Sequence, residues 1–464
     1  MKKIYRLLLL AFLFVNVAAK AQNDGITMTL LPHLSYNNYY NPALPIDSKV
    51  VFGVGVSNIG LSVYNSSIKY NNVLTPSGDL MAFNANKFLN SLDEHDNFIN
   101  TNMSLDIVRV GFKVNRLFFD LNCRFRFNGE FHYSRDFLGF FINGNGNYLA
   151  TNPADLSIGV DVNAFTEMSL GVQYAINDKL TVGIRPKFLI GIANFSVNDD
   201  NTKIYTDPNS YEMMADVNIN IKASTAMNMD INRIGDIGSY MDTITFNNML
   251  AITENKGFGI DFGASYILNK HIGFAAGVYD LGFISWKNPK EKHNHKDNVI
   301  VNDALIDDFN DLVNMELHFE DLYTDLIEDV WDNDSLYTGV DYKTSLKTRI
   351  MLQGYYELFP MARFTAIAQM YYVRDKLRPA MTVAYSGSFF RFLNFTASYT
   401  ASKYAGNSLG FGFGVNIGPL NVYAITDNIM ILSKLHTSAL EMATSYKAAN
   451  VRLGLVFTLG KIKN

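Results

Sequence analysis

Cysteine and tryptophan are scarce in this 464-residue chain, with one of the first and two of the second. The single Cys123 excludes an internal disulfide. After residue 21 no apolar run reaches the ~20 residues that a bilayer-spanning helix needs. A basic excess is missing too. Lys and Arg number 39 against 44 Asp and Glu, for a formal net charge of −5, so the electrostatic footprint of nucleic-acid binding is absent. Neither a G-x-S-x-G elbow nor an H-E-x-x-H zinc pattern occurs. The expectation is therefore no enzyme, no catalytic residue, no cofactor and no nucleic-acid partner.

What the chain does have is strict alternation. In FFDLNCRFRF (118–127), Phe119, Leu121, Cys123, Phe125 and Phe127 take one face, and Asp120, Asn122, Arg124 and Arg126 the other. Side chains of a strand point alternately to its two faces. The pattern returns in MSLGVQYAI (168–176), where Leu170, Val172, Tyr174 and Ile176 oppose Ser169, Gly171 and Gln173. It returns in LTVGIRPKFLIG (180–191), where Arg185 and Lys187 share a face with Gly183. Charged and small residues keep to one side throughout. That is the pattern of an antiparallel transmembrane outer-membrane β-barrel, apolar outward and polar inward. On this reading Arg109, Lys113, Asp120, Arg124, Arg126, Arg185 and Lys187 line the lumen. Phe119 to Phe127 at the odd positions face lipid. Tyr355, Tyr356, Tyr371 and Tyr372 suit an interfacial girdle.

The chain opens MKKIYRLLLLAFLFVNVAAKAQ, with a basic start, a short apolar stretch and Ala19-Lys20-Ala21. This reads as a signal peptide over 1–21, with the mature chain starting at Gln22. Short polar turns at 115–116, 177–179, 269–270, 359–360, 388–390 and 418–419 alternate with long connections. Bacterial barrels keep short turns on the periplasmic side, so the long connections fall outside the cell. The count is 14 strands over 60–464, with long extracellular insertions at 194–256 and 288–340; it becomes 16 if strand-like pieces within 194–256 cross the membrane. Residues 22–59 are left as a plug or periplasmic lead-in, because Pro42 and Pro45 resist strand pairing.

Within the long connections, EKHNHKD (291–297) sets His293 and His295 two apart, and DNDS (332–335) pairs two aspartates without the rest of a calcium loop. Both read as solvated loop, so no metal is expected. Residues 302–334 carry a helical stripe from Leu305 to Trp331 opposite an acidic face, and 428–446 is a second helical candidate. Such helices suit a lid on the barrel mouth or a docking surface.

Several stretches resemble a known family: YYNPALPI (39–46), FHYSRDFLGFFINGNGNYLA (131–150), YAINDKLTVGIRPKFLIG (174–191), GVYDLGFISWKN (277–288) and GPLNVYAITDNI (418–429). Together they resemble uncharacterised Bacteroidota outer-membrane barrels that carry a domain of unknown function. That family is similar to FadL-type transporters and to PorV- and PorP/SprF-type barrels. The resemblance implies a barrel in the cell outer membrane that transports small hydrophobic molecules, with Asn41, Pro42 and Ala43 as hatch residues. The alternative it implies is a non-transporting barrel that scaffolds a surface, secretion or gliding complex. The expected partners are outer-membrane lipid, a small hydrophobic ligand, or a protein of such a complex.

Overall fold

The computed structural model describes residues 25–461 apart from 56, 68–73, 78–79, 200, 211, 226–252, 301–336, 360–361, 374–375, 391, 403–406 and 431–447. The expected signal peptide, the stripe at 302–334 and most of 428–446 lie outside these residues.

Fourteen antiparallel strands close on themselves. β1 runs in two halves, Ser48–Val54 and Ile59–Asn65. β2 is Asn97–Val114, β3 Leu117–Tyr133, β4 Ile158–Ala175 and β5 Leu180–Asp199. β6 is Lys256–Ile267, β7 Ile272–Trp286, β8 Thr348–Phe359, β9 Ala362–Val373 and β10 Lys376–Phe389. β11 is Leu393–Ser402, β12 Ser408–Ile417, β13 Leu420–Thr426 and β14 Ala448–Lys461. Both halves of β1 pair with β2 on one side and with β14 on the other, which removes the sheet edge.

The short turns are written locally. Asn115 takes a left-handed φ of 54° between β2 and β3, a conformation asparagine tolerates. Asn177 Oδ1 accepts hydrogen bonds from the amides of Lys179 and Leu180, both at 2.8 Å. Asn269 does the same for His271 and Ile272. Gly418 supplies a φ of 60° between β12 and β13.

The region 194–256 leaves the barrel and returns. β5 pairs with β6 from Leu180 to Ile190. Beyond Gly191, the same strand pairs instead with Met213–Thr225. That strand in turn pairs with Lys290–Ile300, whose backbone carries His293 and His295. The excursion is an extension of the wall at the long-loop end, so the count is 14 and not 16. The barrel starts earlier than residue 60. Ser48–Val54 alternates, with Val50, Phe52 and Val54 exposed on the outside, but the break at residues 55–58 hides this strand from a periodicity count.

The outer face is apolar and uncovered. Leu121, Leu170, Phe188, Phe258, Leu352 and Leu453 are among its exposed side chains, each 46–58% accessible. A soluble monomer rarely leaves contiguous apolar surface beyond a few hundred Å², and this surface rings the barrel. Only closed barrels and helices can cross a bilayer with every backbone group paired. Strands β2 to β5 have 17–20 residues, well beyond the ~9–11 that cross a membrane. Their surplus projects at the long-loop end. There a second core gathers Phe88 and Leu89 of helix α1 (Ala85–Leu89), Phe137 and Phe140 of helix α2 (Arg135–Asn143), and Ile204 and Met213 of the wall extension.

Two facing assignments are refined. Phe125 is on the outer face, yet only 1% accessible. The register slips at Asp106/Val108 and Ala164/Phe165 push Ile107 and Ile192 outward, and these cover it together with Ala164. Tyr371 is not a girdle residue; it is buried, with the Arg349 guanidinium 4.3 Å from its ring centre. Tyr372 takes the outward position.

The cross-strand row Phe188–Phe258–Phe283 is outward and exposed. Phe258→Arg is expected to destabilise the barrel by about 2–4 kcal/mol, the cost of a cation near the bilayer midplane, while Phe258→Leu costs little. Heat-modifiable migration on gels and a urea midpoint would report it; equal midpoints for the two variants would overturn the facing.

Candidate functional site

Residues 25–47 run inside the lumen rather than beneath it. Ile26–Leu30 forms one 3-10 turn with all five side chains buried. The segment binds the wall on every side. Asp427 accepts from the amides of Gly25 (2.6 Å) and Thr27 (2.9 Å). Thr396 donates to the Leu30 carbonyl at 3.1 Å. Tyr36 donates its hydroxyl to Ser57 at 3.1 Å, within the break of β1. Arg185 donates to the carbonyls of Asn38 and Tyr39, both at 2.9 Å. An irregular segment buried in a barrel must satisfy its backbone from the wall, and the inward polar residues do this.

The hatch candidates Asn41, Pro42 and Ala43 sit against β4 to β7. Asn41 Nδ2 donates to the Ala276 carbonyl (3.0 Å), and Asn41 Oδ1 accepts from the Ala43 amide (2.9 Å). Gln173 donates to the carbonyls of Pro42 (3.0 Å) and Leu44 (2.8 Å), and Ser265 to that of Ala43 (3.0 Å). Two glycines make the approach possible. A Cβ on Gly263 would lie 1.9 Å from Asn41 Oδ1, and one on Gly183 would lie 2.4 Å from the Pro42 carbonyl carbon. Glycine here is close-approach chemistry.

The rest of the segment packs on a different wall. Ile26, Leu30, Leu31 and Leu34 join an apolar cluster with Met351, Ile367, Ala384, Ile425 and Val456. The lumen is thus two-sided, charged along β2 to β7 and largely uncharged along β8 to β14 below the level of Arg349 and Arg452, where buried Thr365, Thr382, Thr396 and Asn421 alternate with the apolar patch.

The charged side is one connected network. Arg109 Nε donates to Asp120 at 3.1 Å, and Arg185 reaches both Asp120 (3.5 Å) and Asp261 (3.4 Å). Lys187 Nζ is 2.7 Å from Asp261 and 2.7 Å from Asp280. Arg126 binds Asp280 (2.7 Å) and Glu167 (3.0 Å), and Arg124 binds Asp106 (2.5 Å). Six of the seven expected lumen residues are therefore brought together. Lys113 is not: it is exposed, one residue from the end of β2, below the level where the wall faces the segment.

The network also holds residues that alternation did not single out. Asp106, Glu167 and Asp261 lie on inward positions and were legible in principle. Asp280 was not. The register of β6 and β7 slips between Ile260 and Phe262, and Asp280 takes a left-handed φ of 62°. The bulge turns both Tyr279 and Asp280 inward, which breaks the period of two. The Asp280 amide donates to Asp261 Oδ1 at 2.8 Å. Tyrosines of the inner segment cap the cations, with the Arg109 guanidinium 4.1 Å from the Tyr36 ring centre and that of Arg124 4.0 Å from Tyr39.

Residues 42–427 match the Family of unknown function (DUF5723). The chain belongs to this family. The family match opens at Pro42, inside the buried Asn41-Pro42-Ala43 element. No curated protein matches the chain. Among solved structures, similar barrels include the Pseudomonas putida toluene transporter TodX, at 8% identity, covering 96% of this chain and 100% of that one with a TM-score of 0.41. Others are the Ralstonia pickettii toluene transporter TbuX, at 10% identity, 97% and 98% coverage and a TM-score of 0.39, and a Pseudomonas aeruginosa FadL homologue, at 10% identity, 94% and 96% coverage and a TM-score of 0.42.

Proposed function

We propose that this barrel is an outer-membrane transporter of small hydrophobic molecules, with residues 25–47 as its hatch. The observation that carries the reading is the seating of that segment. It fills the lumen through hydrogen bonds, apolar contacts and tyrosine rings stacked on wall cations, and it rests on two glycines. A shift of the hatch would uncover the apolar patch of Met351, Ile367, Ala384 and Ile425 on the uncharged wall, which offers hydrophobic cargo a path beside the charged side.

The test is a locked hatch. In a Cys123→Ala background, Ala43→Cys and Ser265→Cys place two thiols on residues in contact, the Ser265 hydroxyl donating to the Ala43 backbone carbonyl at 3.0 Å. Cross-linking them should slow entry of the fluorescent probe N-phenyl-1-naphthylamine into intact cells relative to the reduced protein. A second reading, a barrel that scaffolds a surface, secretion or gliding complex, is favoured by the filled lumen. It requires the same entry rate in locked and reduced cells, and that result would sink the hatch.

A further inference from the structure

We propose that the short-turn end of the barrel binds the headgroup of an anionic phospholipid between the β4–β5 and β6–β7 turns. Three outward tyrosines set the level of that site. Tyr174 of β4, Tyr266 of β6 and Tyr356 of β8 are 44%, 42% and 36% accessible, each close to its turn, and exposed tyrosines at strand ends mark a membrane–water boundary. Just beyond them the turns carry cations: Arg116, Lys179, Lys270 and Arg363, all exposed. The turns follow one another around the wall and are bonded edge to edge. The Ala175 amide donates to the Arg116 carbonyl (2.9 Å), the Ile267 amide to that of Lys179 (2.8 Å), and the Glu357 amide to that of His271 (2.7 Å). The cations therefore form one arc at headgroup depth.

Two of the four charges are already answered. Arg116 has Asp178 at 4.0 Å and Arg363 has Glu357 at 3.1 Å. Lys179 and Lys270 have no carboxylate partner among the described residues. They stand on neighbouring turns, since the Lys179 carbonyl is bonded to Ile267, three residues before Lys270. The turns are braced from within: Asn177 and Asn269 accept from the backbone amides that follow them, so the two ammoniums hang from fixed points. The wall beside them offers Ile176, Tyr266 and Leu268, each 41–45% accessible. An anionic phospholipid matches both halves of this surface. Its phosphodiester supplies acceptors for two ammoniums, which bind phosphate as point charges, and its acyl chains lie along Ile176, Tyr266 and Leu268. The whole chain carries a net charge of −5, so a cationic surplus on this arc does not follow from composition. A soluble acidic partner would answer the lysines and leave the apolar strip beside them bare; a lipid covers both. The inference needs only the lipid-facing wall and does not rest on the transport reading.

The test is native mass spectrometry of the detergent-solubilised full chain, titrated with equal amounts of phosphatidylglycerol and phosphatidylcholine of matched acyl chains. The phosphatidylglycerol adduct should exceed the phosphatidylcholine adduct about tenfold or more, because each cation beside an anionic headgroup adds about fivefold. Lys179→Gln and Lys270→Gln should each lower that preference about fivefold, and the double variant should bind the two lipids alike. The turn uses the Lys179 amide and not its side chain, so folding should survive. Heat-modifiable migration checks it, and the single variants decide if the double variant fails. Lys343, exposed at the long-loop end beside Ser285, is the control, and Lys343→Gln should change nothing. Equal adducts in the parent protein would overturn the proposal. A preference kept by the folded lysine variants, or lost in Lys343→Gln, would overturn the location. Neither result touches the hatch, since the locked-hatch experiment reads the lumen.

Discussion

Gly263→Leu is expected to convert a closed barrel into a conducting one. The added Cβ would stand 1.9 Å from Asn41 Oδ1 and 3.0 Å from the Ala43 amide nitrogen. Neither can give way alone, because the Asn41 amide is tied to Ala276 and Ala43. The inner segment must lift as a unit and forfeit its bonds to Gln173 and Ser265. The barrel wall itself keeps its ladder to β5 and β7, so folding should survive. Purified protein in planar bilayers should change from silent to stepwise conducting. Gly354→Ala is the control, since a Cβ there meets only Phe274 at an ordinary 3.5 Å. A folded Gly263→Leu barrel that stays silent would show that the seat does not hold the lumen shut.

Lys187→Met is expected to cost about 3–5 kcal/mol, the range for breaking a buried ion pair by removing one partner. The Lys187 side chain is inaccessible and its ammonium stands between Asp261, Asp280 and Glu167, at 2.7, 2.7 and 3.8 Å. Methionine fills the volume and leaves three carboxylates facing one another. Asp261→Asn in the same chain should recover part of the loss, by removing one of those charges. Urea unfolding in detergent would measure both. A single variant as stable as the parent would mean that water reaches this part of the lumen and screens the network. The same reasoning applies to Arg124. Its guanidinium binds Asp106 and approaches Glu167, so the lumen does not simply accept an apolar ring in its place.

Most of the wall was legible because β-strands have a period of two and a bilayer punishes errors on one face. Leu121, Leu170 and Phe188 are outward, and Asp120, Arg185 and Lys187 inward, as alternation requires. The reading failed where the period itself fails. Asp280 turns inward on a bulge, Ile107 turns outward on another, and the break at residues 55–58 conceals the first strand. The excursion at 194–256 was undecided for a related reason. Met213–Thr225 alternates like a membrane strand, and only its partners, the top of β5 and Lys290–Ile300, show it to be an extension.

The sequence by itself determined the closed antiparallel barrel, its inside and outside, its short-turn end and its 14 strands as the preferred count. Each depends on local chemistry: side-chain alternation, turn asparagines and glycines, the position of charge. Tertiary structure alone decided what fills the barrel. The segment NNYYNPALPI has no period of its own, because it follows neither helix nor strand. Its conformation is set by hydrogen-bond partners on the wall 71 to 235 residues away, from Arg109 to Ala276. The pairing of the buried charges was likewise undetermined, since alternation puts cations and carboxylates on one face but cannot say which strands face each other across the lumen.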